Sequence, residues 1–178
     1  QIKDRRRAGV LTHPYLLSAF AYPNSTSPIH RGVFMTRQVV GREMKPPPVA
    51  VAFNEDDFEA HVTMREKVTQ LTQDAACMAC HGVINALGFP LEHYDAVGKW
   101  RTHEKDTPID ARSIYETDEG VTFSFSSAWD VAQHAIGEEQ AHNAFVASLF
   151  HQFVKWAPAV FDAKGLQQLR LHFQKNQF

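Results

Sequence analysis

Ala76-Cys77-Met78-Ala79-Cys80-His81 decides how this chain is read, because it holds both of the chain's cysteines and sets a histidine directly behind the second. The spacing is C-x-x-C-H, and each position has a chemical reason. Two thiols three residues apart at a helical turn can each add to one vinyl group on a porphyrin edge. The next imidazole is then carried over the ring face, where it can bind iron as an axial ligand. Three other readings compete. A thioredoxin-like redox pair opens a helix behind a buried strand, whereas an amphipathic pattern precedes this one. A zinc site needs further ligands, and no pair among the 10 histidines stands at H-x₃₋₅-H spacing. Buried, inert cysteines are the third.

Working outward, the composition suits a globular domain. The 178 residues are 44% hydrophobic and 21% charged, with 18 basic against 20 acidic side chains and a formal net charge of −2. No basic stripe points to nucleic acid, and two cysteines exclude a disulfide-dense scaffold. No apolar run approaches the roughly 18 residues of a membrane-spanning helix. The opening Arg5-Arg6-Arg7 resembles a twin-arginine signal only superficially, since Pro14 and Pro23 interrupt the apolar stretch that would have to follow. The chain reads as a mature product or as a piece of a larger polypeptide.

Apolar periodicity predicts mostly helix. Short helices are expected at Tyr15 to Ala21 and Arg31 to Val40, before the connector Pro46-Pro47-Pro48. Phe58, His61, Met64, Val68, Leu71 and Ala75 recur at spacings of three and four, which predicts one amphipathic helix from Glu55 to Ala76 leading straight into the cysteines. Gly88, Pro90 and Gly98 make Ile84 to Trp100 a packed loop with one helical turn near Glu92 to Val97. A small hairpin is expected around Asp118-Glu119-Gly120. Helices are expected again at Ser127 to Ile136, Glu138 to Trp156 and Gly165 to Gln174.

Several phrases in order, Thr26-Ser-Pro-Ile-His-Arg-Gly32, Pro46-Pro-Pro48, Ala76 to His81, Ile84-Asn-Ala-Leu-Gly-Phe89, Leu91 to Arg101 and Pro108-Ile-Asp-Ala111, resemble the C-terminal cytochrome-type domains of large multidomain haem-motif proteins abundant in planctomycetes. The resemblance covers essentially the whole chain. It implies that Cys77 and Cys80 attach the haem and that His81 is the proximal ligand. One departure stands out: Ala86 replaces the proline usual in the Ile-Asn-Pro-Leu-Gly-Phe phrase. In c-type cytochromes a backbone carbonyl often orients the proximal imidazole, so the partner of His81 is left open at this point.

The distal iron ligand is also open. All four methionines lie at or before position 78. On a continuous helix Met64 would stand about 20 Å from Cys77, and only a break near Thr69 to Thr72 would bring it closer. Met35 and Met44 remain open. His30 lies in a loop-like Ser-Pro-Ile phrase, and His142 shares an apolar helix face with Phe145 and Leu149. An empty distal position is equally allowed. Arg31 and Arg101 are candidate partners for haem propionates, given the preference of guanidinium for carboxylates.

The expected protein is therefore mainly α: a cytochrome c-like helical domain around one covalent haem c (residues 1–139, with an N-terminal arm over 1–48), followed by a small C-terminal helical segment (140–178). Its expected work is electron transfer outside the bacterial cytoplasm, with a redox partner protein or other domains of a larger chain. The alternative is a haem-dependent oxidoreductase or peroxidase-like domain with an open distal site. No nucleic acid and no membrane span are expected.

Overall fold

The computed structural model describes residues 5–45, 53–54, 57–155 and 163–176. Within them the chain is mainly helical, with two small antiparallel sheets. Pro14 and Pro28 occupy first helical turns, where their missing N–H is no loss, and so open α1 (Pro14–Ala19) and α2 (Pro28–Phe34). Ser27 caps α2 by accepting from the His30 N–H at 3.2 Å. α2 continues into a π-helical turn, Met35–Val39, so the helix expected at Arg31 to Val40 starts earlier and changes its winding midway. The Pro46-Pro47-Pro48 connector lies outside the described residues.

The long helix expected from Glu55 to Ala76 is instead α3, only Met64–Leu71. Thr63 and Glu66 form a reciprocal capping box that starts it, with the Thr63 N–H donating to Glu66 Oε2 at 2.8 Å. Thr72 leaves helical geometry and ends it. Asp74 then precedes α4 (Ala75–Gly88), which runs into a 3-10 turn at Phe89–Leu91. Gly88 keeps helical dihedrals and Pro90 sits in the first turn of that 3-10 segment, so neither breaks the chain where a loop was expected.

The strands β1 (His103–Glu104) and β2 (Thr107–Pro108) make a minimal hairpin. The expected second hairpin is present as β3 (Ser113–Glu116) with β4 (Thr122–Phe125), turning at Gly120 with φ +79°. Three helices follow: α5 (Ala128–Gly137), α6 (Glu139–Val154) and α7 (Ala163–Lys175). α6 and α7 pack on each other, with Phe145 and Phe173 stacked at 5.0 Å between ring centroids. α6 also rests on the π-helical turn. There Gly41 has φ +77°, and a Cβ on it would stand 2.6 Å from the Gln140 carbonyl oxygen, so glycine is required twice over.

The main core joins Leu17, Met35 and Val40 to Leu87 and Leu91 of the α4 region and to Tyr115 and Val131 beyond. The segment expected as an N-terminal arm therefore supplies the middle of the core. A second cluster gathers Met64, Val68 and Phe89. No residue from 75 to 83 is among the buried residues of either cluster. The cysteine turn thus lies at the rim of these clusters.

Candidate functional site

Cys77, Cys80 and His81 fall at spacings of three and four within the first two turns of α4, which places them on neighbouring positions of one helical face. The Asp74 carbonyl receives the N–H groups of both Cys77 and Met78 at 2.9 Å and so anchors this first turn. The two thiols are free, Cys77 half-buried and Cys80 exposed. Between them in the sequence, Met78 exposes apolar surface, 44%, as does Leu71 at the end of α3, 36%. From Ile84 to Gly88 the same helix is buried. α4 is thus divided: its second half is locked into the core and its first half presents the motif outward.

His81 is half-buried, and its Nδ1 lies 3.2 Å from Asn85 Oδ1, one turn further along α4. Asn85 is 7% exposed and Thr72 4%. Asn85 Nδ2 donates to Thr72 Oγ1 at 2.9 Å, and Thr72 Oγ1 donates to the Val68 carbonyl at 2.8 Å. Sequence reasoning missed this group. The signal was present as an i, i+4 pair, but it becomes visible only once the segment beyond His81 is known to be helical.

Arg31 and Arg101 lie together, both against Glu92. Arg31 is fully buried; it donates to the carbonyls of Tyr94 at 2.8 Å and Asp95 at 2.7 Å, with longer bonds to Leu17 and Leu91 at 3.3 Å. Arg101 donates through Nε to the Glu92 carbonyl at 3.0 Å and through Nη2 to Glu92 Oε2 at 3.1 Å. Glu92 is 1% exposed, takes a hydrogen bond from Thr26 Oγ1 at 2.8 Å and lies 3.7 Å from Arg31. Burial pushes the Glu92 carboxyl up to about 7, against the opposing pull of Arg31 and Arg101. With Arg31 sealed inside, its guanidinium serves the fold.

The distal candidates are dispersed. His30 is exposed on α2, with its ring 5.2 Å from that of Tyr22. His142 is buried, although Phe145 and Leu149 on the face it was expected to share are exposed, and its Nε2 contacts the Ile136 carbonyl at 2.9 Å, tying α6 to the end of α5. The break that could have freed Met64 does occur at Thr72, yet Met64 is 1% exposed and packs with Val68 and Phe89. Met35 is wholly buried in the main core.

The residues present fit a covalently attached haem. Two free thiols share one outward turn, and the histidine behind them has one ring nitrogen held by a buried amide while no partner faces the other among the described residues. No group of three or more metal-ligating side chains occurs among the described residues, so the motif does not belong to a preformed multidentate metal cage there. No described helix is long and apolar enough to cross a membrane.

Fold and motif together define a mainly helical protein built to display a C-x-x-C-H turn. The chain belongs to the family described as PSCyt3, protein of unknown function (DUF1588), whose model matches residues 7–104, more than half of its length. The match spans α1 to β1 and includes the whole motif. No curated protein and no solved structure matches it.

Proposed function

We propose that this chain is a c-type cytochrome domain that binds one covalent haem and transfers electrons outside the bacterial cytoplasm, within a larger protein or against a redox partner. The observation that carries the proposal is the outward first turn of α4, with two free thiols and an imidazole on one helical face. Cys77 and Cys80 would hold the group by thioether bonds, and His81 would bind iron through Nε2. When bound, haem iron supplies reversible one-electron chemistry. The chain's own contribution is attachment, imidazole orientation and partial exclusion of water by the apolar surface of Met78 within the motif. The compartment follows from the attachment chemistry, which in bacteria takes place on the periplasmic side on exported, reduced thiols.

A pyridine haemochrome spectrum of the chain matured with a haem-attachment system tests this. A c-type band is expected; colourless protein with stoichiometric zinc would overturn it. A second reading, a haem enzyme with an open distal position, is favoured by one observation: His142 is committed to the Ile136 carbonyl, and Met35 and Met64 are enclosed in the core. Carbon monoxide and cyanide binding separates the two, since a six-coordinate carrier resists both ligands.

A further inference from the structure

Thr72, Asn85 and His81 form a hydrogen-bond chain whose direction decides which nitrogen of His81 carries the proton. The Thr72 hydroxyl has a single proton, and it is donated to the Val68 carbonyl at 2.8 Å. The Asn85 amide meets the same hydroxyl oxygen at 2.9 Å and must present its NH₂ there. Its other end, Oδ1, then faces His81 Nδ1 at 3.2 Å, and a carbonyl oxygen can only accept. Nδ1 therefore carries the proton and Nε2 the lone pair. Inverting the amide would require the Thr72 hydroxyl to turn away from the Val68 carbonyl and give up the 2.8 Å bond, at a position where both residues are shielded from water.

We infer that Asn85 is a positioning residue that holds His81 in the tautomer able to ligate iron; the inference rests on the haem reading above. An acceptor on Nδ1–H fixes ring orientation and makes the imidazole a stronger donor through Nε2, which favours the ferric state. Thr72 sits at the end of α3 and Asn85 in the buried half of α4, so the ligand is oriented by rigid structure on both sides.

Two measurements test this. In the haem-free full chain, ¹⁵N chemical shifts of the imidazole are expected to show His81 protonated at Nδ1, and the Nε2–H tautomer would overturn the inference. In the haem-loaded chain, Asn85→Leu, which removes the acceptor, is expected to raise the midpoint potential, and Asn85→Asp, a stronger acceptor, to lower it. No change, or shifts in the same direction, would overturn it, because a merely structural role predicts no opposition of sign. Should Asn85→Leu fail to fold, Thr72→Val is expected to leave His81 as a mixture of tautomers, and an unchanged Nδ1–H form would count against the chain of bonds. Protein that folds but never acquires haem would sink the haem proposal while the tautomer measurement still judges the Asn85 arrangement.

Discussion

Gly32 of α2 and Ile84 of α4 approach so closely that a Cβ on the glycine would overlap the isoleucine's carbonyl oxygen. Gly88 meets the Pro28 carbonyl in the same way at the other end of the crossing. The two contacts press α2 flat against the buried half of α4 and so hold the motif-bearing helix in place.

Gly32→Ala is therefore expected to destabilise the protein by about 1–3 kcal/mol or more, the usual cost of overpacking, because backbone and not a flexible side chain must yield. Gly120→Ala, where a Cβ would meet nothing but φ is +79°, should cost less, about 1 kcal/mol. Urea denaturation of both variants checks the order.

Arg31→Met should be among the most damaging substitutions, about 3–5 kcal/mol, since it leaves Glu92 facing a lone Arg101 and strips donors from four backbone carbonyls. Haem attachment to whatever fraction folds should be unimpaired. Denaturation midpoints and haem stain per folded protein separate the two effects.

Removing one thiol should leave one vinyl group unsaturated. Cys80→Ala is expected to give covalent haem with a pyridine haemochrome band at longer wavelength, and the double variant Cys77→Ala, Cys80→Ala no covalent haem. Circular dichroism of the double variant should match the haem-free parent, because neither side chain belongs to the described core.

Stability should depend on Glu92 between about pH 4.5 and 7. Its native carboxyl holds its proton up to about 7, against an ordinary value of 4.5, so between these values the native state binds more protons than the unfolded chain. Stability therefore rises as pH is lowered through about 7. His134, whose pKa burial lowers beneath 6.5, works the other way further down, because the unfolded chain takes up that proton first. Comparison of the parent with Glu92→Gln isolates Glu92: as pH falls through about 7, Tm of the parent should climb relative to that of the variant.

How much of this was legible in the sequence varies with the range of the contacts. The C-x-x-C-H turn is local, and its residues stand on one helical face as their spacing implied. The hairpin at Gly120 and the last three helices followed from turn residues and periodicity. The helix start at Thr63 was also written locally, as T-x-x-E, but the apolar spacing continuing back to Phe58 masked it. Arg31 could not be read at all, because it answers to backbone carbonyls more than 60 residues away that carry no side-chain signature. His142 is buried, and its partner is again a carbonyl.

The division of α4 bears on the order of events in the protein's life. Its inner half is fixed by α2, and its outer turn projects beyond the described core, so, if the chain takes haem as proposed, it could reach its folded form first and still offer both thiols to an attachment enzyme. Folding and cofactor acquisition would then be successive steps, and the second could be delayed without forfeiting the first.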